Sequence, residues 1–257
     1  MKVSTSSEKK VIRIAAVCFW LVAWQAAAVL LSQDLLLVSP IEVVRTLFAM
    51  VGDAAFWRIA LSTMLRITGG FLLAFVLGVV IGAAAAKSET VRALMRPLTS
   101  VMRATPVASF IILALLWAGS KGLSTFTAFI MGLPIIYAGT LQGISAIDEK
   151  LVEMTKVFRV SSVARMLYVY LPAVLPSVAS SAGVALGMCW KAGVAAEVIG
   201  LPTGTIGERL YQAKIYLSTG EVFAWTVVII GLSALLEWAI ETLLRMALAR
   251  AERGPSV

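Results

Sequence analysis

Long apolar stretches recur along this sequence and constrain its fold more than any other feature. A helix that rises 1.5 Å per residue needs about 20 apolar residues to cross roughly 30 Å of hydrocarbon. Six segments meet that length: residues 11–31, 59–86, 98–118, 123–144, 172–196 and 222–248. Charged residues make up only 14% of the chain, against about 25% in soluble domains. We therefore predict a single domain over residues 1–257, an all-α membrane protein of about six transmembrane helices.

The basic residues are distributed unevenly between the two sets of loops. If the six segments cross the membrane in turn, one side carries 14 Lys and Arg residues and the other side five. Basic residues beside spans collect on the cytoplasmic side. This predicts a multi-pass protein of a bacterial inner membrane, with both termini and the loop at residues 148–171 in the cytoplasm. The net charge of +8 then reflects orientation and contact with lipid, and we expect no nucleic-acid partner.

The composition argues against catalysis by this chain. It contains no histidine, the commonest general base and metal ligand. Its two cysteines, Cys18 and Cys189, lie in distant apolar stretches, which suggests neither a disulfide framework nor a metal site. The phosphate-binding pattern G-x-x-x-x-G-K-[ST] is absent from the sequence. We expect no enzyme, no metal and no cofactor.

The first 58 residues hold one span and one short helix. A cleaved signal peptide is an alternative for residues 11–31, but this apolar run is longer than the usual core of about 7–15 residues, which favours a retained helix. Residues 35–58 are predicted to form a short interfacial helix. Ser39 is placed to cap it, and Pro40 occupies its first position.

The loop at residues 148–171 has the pattern of an amphipathic helix followed by a second helix. Leu151, Met154, Val157 and Phe158 share one face of a helix over residues 149–160. Ser161 or Ser162 can cap the second helix, residues 163–170, which Pro172 stops or bends. The apolar stripe must be covered by lipid, by the chain's own bundle or by another protein. The residues alone do not rank these three alternatives.

Part of this loop resembles a known motif. Residues 153–161, EMTKVFRVS, followed by the stretch YLPAVLP that ends at Pro176, resemble the EAA loop of binding-protein-dependent ABC import permeases. The pattern is roughly E-A-A-x-x-x-G followed by L-P. Here Met154 and Thr155 replace the two alanines, and Arg159 replaces the glycine. The resemblance implies that this segment is a coupling helix that docks into a separate ATPase subunit. The implied contact residues are Glu149, Glu153, Met154, Val157, Phe158 and Arg159.

Further short motifs extend the resemblance over most of the chain. They are LVSP ending at Pro40, Arg66 with Gly70, Arg96-Pro97, Thr105-Pro106, and AEVIG ending at Gly200 with Gly204 and Gly207. Together they resemble the branch associated with nitrate, sulfonate, taurine and bicarbonate uptake. The resemblance implies an importer of a small anionic solute that works by alternating access. The implied partners are two ATPase subunits, an extracytoplasmic solute-binding protein and a second permease copy.

Three charged residues inside or at the ends of spans are candidates for the substrate pathway or its gate, because charge at membrane depth is costly. Arg66 can line the path or bond to helix-end carbonyl groups as an anchor. Lys191 can attract an anion or extend outward to the interface. Glu197 can pair with a basic group or cap backbone donors of residues 200–207 as part of an outer gate. Glu241 is predicted to pair with Arg245, four residues later.

Two other functions are open to a chain of this kind. An ion-coupled secondary transporter would show inverted repeats or buried acidic relays, and neither pattern is evident here. A non-transporting membrane scaffold would have no ATPase partner. The sequence does not identify the transported solute.

Overall fold

The computed structural model describes residues 6–31 and 36–253, and every regular element among them is helical. The predicted domain over residues 1–257 also includes residues 1–5, 32–35 and 254–257, which lie outside the described residues. The elements are α1 (Ser6–Leu31), α2 (Pro40–Val51), α3 (Ala54–Lys87), α4 (Glu89–Ala104), α5 (Val107–Ala118), α6 (Leu123–Ser145), α7 (Glu149–Val157), α8 (Ser162–Arg165), a π-helical turn (Met166–Tyr170), α9 (Leu171–Gly200), α10 (Ile206–Ile215) and α11 (Thr219–Arg253).

Five helical stretches of the described chain are long and apolar enough to cross a membrane, and a bent pair of helices brings the number to six. The five are Ile14–Leu31, Ala54–Lys87, Leu123–Ser145, Ser162–Gly200 and Thr219–Met246. The predicted all-α membrane fold with about six spans is therefore confirmed.

The core is formed by α3, α6 and α9, in which α6 packs against α3 and α9 along most of its length and α3 meets α9 over a shorter stretch. Small residues permit this close approach. A Cβ added to Gly78 would lie 2.8 Å from Ile136 Cβ, and one on Gly82 would lie 2.8 Å from Thr140 Cβ, so α3 and α6 touch at both points. Small residues spaced four apart, as Gly78 and Gly82 are, allow this close approach of helices in lipid.

The predicted third span, residues 98–118, is divided between two helices. Helices α4 and α5 meet at a bend of 106° around Thr105 and Pro106. Pro106 has no N–H to continue the α4 hydrogen-bond ladder, and the residue before a proline is driven into the extended region; Thr105 has φ −72° and ψ 128°. The chain therefore turns sharply at this point instead of crossing as one rod.

The bundle has two ends that differ in what they carry. Helices α3 and α6 run in the same direction and α9 runs in the opposite one, so the end of α3 at Lys87, the end of α6 at Ser145 and the start of α9 at Leu171 lie at one end of the bundle. Helix α7 lies at this end, beside Ser145 and Tyr170, and we name it the α7 end. The opposite α10 end carries the start of α3, the start of α6 at Leu123 and the last turn of α9.

The N-terminal helix is attached to the bundle near the α10 end. Trp24 Nε1 donates a hydrogen bond to the carbonyl oxygen of Val38 at 3.0 Å, and the Trp24 and Phe223 rings lie 5.7 Å apart. The predicted cap of α2 is present, since Ser39 Oγ accepts from the Glu42 N–H. Helix α1 therefore contacts both α2 and α11.

The chain remains helical through Pro172 instead of stopping there. Ser161 caps α8, with its Oγ 3.2 Å from the Ala164 nitrogen, and a π-helical turn follows. Because Pro172 cannot donate to the carbonyl group four residues earlier, the turn widens, and the Leu171 N–H bonds to the Met166 oxygen five residues back.

Candidate functional site

The α7 segment, residues 148–160, is a short helix whose beginning is fixed by local bonds. Asp148 is extended, and its carboxylate accepts a hydrogen bond from the Lys150 N–H at 2.9 Å. A carboxylate at this position satisfies a free backbone donor and complements the positive end of the helix. The helix therefore begins at Glu149 because the Asp148 carboxylate caps its first turn.

The backbone conformation at the end of the α7 segment explains why the EAA pattern usually has a glycine there. Arg159 adopts a left-handed conformation with φ 51°. Its N–H bonds to the Lys156 oxygen at 3.1 Å, and the Val160 N–H bonds to the Thr155 oxygen at 2.9 Å. This pair of bonds is a Schellman motif, in which glycine is preferred because it has no Cβ. Arg159 thus keeps the backbone turn that the motif requires, at a cost in local strain.

The apolar stripe of the α7 segment faces away from the bundle. Leu151 and Met154 are 41% and 49% exposed, and Phe158 and Val157 are 73% and 78% exposed. Thr155 is 4% exposed, so the second alanine of the EAA pattern corresponds to a buried contact point where a small residue is needed. The chain's own bundle therefore does not cover this stripe, which leaves lipid or another protein as its contact.

The structure separates the predicted coupling residues into two groups. Of the predicted residues, Glu149 and Glu153 line a cavity of about 420 Å³ between α7 and the base of the bundle, which Lys156 and Tyr170 also line. Met154, Val157 and Phe158 lie on the outward side. The two acidic residues therefore lie beside the cavity, while the apolar residues are exposed and free to contact another molecule.

A second cluster lies at the α10 end and is built around Glu197. This side chain is fully buried on α9. Its Oε2 accepts a hydrogen bond from the Thr63 hydroxyl at 2.9 Å and one from the Gly207 N–H at 3.3 Å. The Thr63 oxygen in turn accepts from the Ile206 N–H at 2.9 Å. Of the alternatives predicted for Glu197, the structure shows backbone capping.

We name Thr63, Glu197, Ile206 and Gly207 the Glu197 latch, because they join α3, α9 and the first turn of α10. A carboxylate at a helix N-terminus satisfies free N–H groups and is favoured by the helix dipole. A side chain on Gly207 would collide with Glu197 Cβ and would lie 2.6 Å from the Val198 nitrogen. The glycine therefore allows the start of α10 to lie directly on α9.

Sequence analysis missed two members of this end. Thr63 appears as one polar residue in an apolar span, and nothing local marks its partner 134 positions away. Thr205 could have been found, because Thr205 and Glu208 have the spacing of a capping box. The Thr205 hydroxyl accepts from the Glu208 N–H at 3.2 Å, and Glu208 accepts from the Gly204 N–H at 2.6 Å.

Arg66 and Lys191 have different surroundings. Arg66 donates to the carbonyl oxygen of Lys121 at 2.9 Å, and the Arg66 carbonyl accepts from the Thr125 hydroxyl at 3.0 Å. It therefore anchors α3 to the turn before α6. Lys191 is exposed on α9, while Glu197 is buried, so the two residues do not share a face.

One predicted ion pair and the two cysteines complete the charged and potential metal-binding groups considered. Arg245 Nε donates to Glu241 at 3.1 Å, as the i, i+4 spacing predicts. Cys189 is buried in the main core, and its Sγ lies 3.1 Å from the Ala128 oxygen. Within residues 6–31 and 36–253 there is no group of three or more His, Cys, Asp or Glu side chains placed to hold a metal ion.

Comparison with known proteins matches residues 74–247 to the family model described as the binding-protein-dependent transport system inner membrane component. The matched region begins within α3, ends within α11 and includes the α7 segment and the Gly207 side of the latch. It covers more than half of the chain.

Three relatives are named as permease proteins. The chain is 26% identical over 229 residues to the taurine transport system permease protein of Escherichia coli (strain K12), covering 86% of this chain and 82% of the relative. It is 27% identical over 191 residues to a putative aliphatic sulfonates transport permease protein of Bacillus subtilis (strain 168), covering 74% and 69%. It is 27% identical over 208 residues to the nitrate import permease protein of Leptolyngbya laminosa, covering 77% and 74%.

Proposed function

Because the chain belongs to the family of binding-protein-dependent transport system inner membrane components, we propose that it admits a small anionic solute such as a sulfonate or nitrate. Members of this family are permease subunits of ABC importers and not enzymes. The chain is accordingly a multi-pass protein of the bacterial inner membrane whose transport depends on an ATPase and a solute-binding protein. The family supports this function over the ion-coupled transporter and the scaffold.

The apolar stripe of the α7 segment carries the proposal for how energy enters. Leu151, Met154, Val157 and Phe158 form a contiguous exposed surface on a helix whose two ends are fixed by hydrogen bonds. A rigid helix with exposed apolar anchors is suited to docking in a groove of another protein. We assign that groove to the ATPase subunit, with two ATPase copies on two permease copies.

The proposed orientation places the α7 end in the cytoplasm and both termini with it. This end carries Lys87, Arg92, Arg96, Lys150, Lys156 and Arg165, whereas the loops of the α10 end hold fewer basic residues. The positive-inside tendency favours the same direction. The α10 end then faces the solute-binding protein.

The Glu197 latch is proposed to stabilise the outer gate. It ties α10 to the core helices α3 and α9 through buried hydrogen bonds, so movement of either helix is transmitted to the α10 turn. Arg66 anchors the neighbouring turn at Lys121. Lys191, exposed on α9, is proposed to attract the anion as it passes.

The coupling role is tested by Phe158→Ser, which removes the largest apolar side chain from the exposed stripe. We expect the ATPase recovered with the affinity-tagged permease to fall at least tenfold. The matched control is Phe48→Ser on α2, because Phe48 is 76% exposed and Phe158 73%, but Phe48 lies near the α10 end. Equal recovery of the ATPase with both variants would contradict docking on this stripe.

Glu153→Lys tests the acidic side of α7. It places a positive charge in the cavity between α7 and the bundle, and we expect it to weaken binding of the ATPase. An intact complex with the ATPase would count against a coupling role for Glu153.

Lys191→Ala tests the substrate pathway and is expected to lower uptake of taurine or ethanesulfonate while leaving the ATPase bound. Unchanged uptake kinetics would remove Lys191 from the pathway.

A further inference from the structure

A groove between α4 and α6 is not used by the coupling helix or by the Glu197 latch. Its volume is about 380 Å³. The lining side chains from α4 are Arg92, Arg96, Thr99 and Arg103, and those from α6 are Tyr137, Ala138, Leu141, Gln142 and Ser145. Three cations therefore share one groove with several neutral polar groups. Among the described residues that line it, none is acidic.

The arginines form a single stripe because α4 is strongly amphipathic. Residues 92, 96, 99 and 103 follow i, i+4, i+7 and i+11 spacing, which places them on one face. Leu94, Leu98 and Val101 lie on the opposite face and are 70%, 46% and 62% exposed. Met95 and Met102 pack against the bundle between these two faces. The polar stripe therefore has its own direction, distinct from both the core and the apolar face.

The stripe extends from one end of the bundle into its middle. Arg92 and Arg96 share the groove with Gln142 and Ser145, near the α7 end. Arg103 donates a hydrogen bond at 2.9 Å to the carbonyl oxygen of Pro134, which lies near the midpoint of α6. An arginine at that depth is costly against lipid, so this face requires water or protein. A path of positive charge thus follows α4 for about half the length of α6.

Several polar side chains of the groove have hydrogen-bond donors that are not used within the described residues. Arg103 makes one hydrogen bond among the described residues, although a guanidinium has five N–H donors. Glu89, at the edge of the groove, lies 3.6 Å from Arg92 and 3.7 Å from Arg96. It offsets one of these two charges, and with Arg103 a net positive charge remains. Gln142 and Ser145 make no side-chain hydrogen bond among the described residues. The site is rich in donors and short of acceptors.

We propose that this groove binds the oxyanion of the solute on the inner half of the permease path, after the solute has left the outer gate. Arg103 would make the deepest contact, and Arg96 with Arg92 would guide the anion to the α7 end. Planar guanidinium groups match sulfonate, nitrate and phosphate oxygens in charge and geometry. This inference rests on the anionic solute proposed above. It adds the residues of the chain that would select for negative charge.

The first experiment measures anion binding without transport. The permease and ATPase complex is placed in nanodiscs of phosphatidylcholine, and ethanesulfonate is titrated by isothermal calorimetry. Arg96→Gln with Arg103→Gln should weaken ethanesulfonate binding at least tenfold, and Arg103→Lys should recover part of it. Lys87→Gln is the control, since it removes the same charge near the α7 end outside the groove. Equal affinity in wild type and the double variant would overturn the proposal.

A lipid headgroup is the competing occupant, and a second arm separates it from the solute. Nanodiscs containing phosphatidylglycerol replace those of phosphatidylcholine. If ethanesulfonate does not bind in phosphatidylcholine, while phosphatidylglycerol raises the thermal stability of the wild type and not of the double variant, the groove holds lipid. That outcome overturns the solute assignment.

Uptake into proteoliposomes with the binding protein distinguishes failure of this inference from failure of the proposed function. Ethanesulfonate uptake by wild type with a fall of at least tenfold in the double variant, at equal ATPase recovery, is the expected result. Normal uptake by the double variant overturns the groove alone. If wild type binds ethanesulfonate in the groove but imports none, the proposed solute class fails instead.

Discussion

The two ends of the bundle differ in where their side chains make contacts. At the α10 end, Glu197 and Thr63 are fully buried, and their hydrogen bonds connect α3, α9 and α10 within one chain. At the α7 end, Val157 and Phe158 are mostly exposed, and the hydrogen bonds at the two ends of α7 are local to that segment. One end forms its contacts internally, and the other presents them to the outside.

This difference indicates that the α10 end contributes to the stability of the subunit and the α7 end to partner recognition. Breaking a buried hydrogen bond leaves an unpaired polar group with no water to replace it, so substitutions in the Glu197 latch should destabilise the subunit. Substituting an exposed apolar residue costs the isolated subunit little, so the α7 stripe should matter only when its partner is present. The following variants test this contrast on one scale, unfolding of the permease in mixed micelles with increasing SDS.

Gly207→Ala should have the largest effect. The new Cβ would collide with Glu197, and backbone atoms of α9 leave no room for it to shift. We expect a loss of about 2–3 kcal/mol in the free energy of unfolding, typical of a strongly overpacked site. Gly69→Ala is the control, because a Cβ there meets nothing within 4 Å. Equal stability of the two variants would show that α10 is not held against α9.

Thr63→Val should come next. It removes the hydroxyl that donates to Glu197 and accepts from the Ile206 N–H, at nearly constant volume. We expect a loss of about 1–3 kcal/mol, the cost of leaving buried polar groups unpaired. Thr63→Ser keeps the hydroxyl and should retain most of the stability. Stability unchanged in Thr63→Val would mean that the latch is not a stabilising feature.

Arg159→Gly should have a smaller effect of opposite sign. Arg159 occupies a left-handed conformation with φ 51°, which costs L-residues roughly 1–2 kcal/mol and glycine much less. The variant should gain about 0.5–1 kcal/mol after the extra flexibility of unfolded glycine is included. Lys156→Gly, within α7, is the control and should lose stability. A destabilising Arg159→Gly would argue that the arginine side chain makes a contact stronger than this strain.

Phe158→Ser should have the smallest effect on the isolated subunit, within about 0.5 kcal/mol, because the ring is 73% exposed. The same variant is the one expected to lose the ATPase. A large loss of stability without the partner would remove the contrast between the two ends.

Local features of the chain were predictable from sequence because their causes are local. The spans follow from runs of apolar residues, the Ser39 cap from a side chain beside the helix that it caps, and the Gly78 and Gly82 contact from small-residue spacing. Pairing of Glu241 with Arg245 also needs only helical periodicity. The α7 helix belongs to this group, since its cap and its apolar stripe lie within ten residues.

Other features depended on long-range contacts. The division of residues 98–118 at Thr105 and Pro106 was not anticipated, because a proline is compatible with a kinked span as well as with a 106° bend. The partner of Glu197 was not identified, since Thr63 lies 134 residues earlier. The α4 stripe can be found by periodicity, but its pairing with α6 to form a groove cannot.

The sequence by itself determined that this chain is a helical membrane protein and where most of its long apolar helices lie, because hydrocarbon imposes a minimum length and each helix forms its own backbone hydrogen bonds. Only the tertiary structure decided which faces became interior and which stayed outside. Glu197 and Phe158 show the reason: burial depends on which distant helices meet, and that is set by the fit of small residues between α3, α6 and α9.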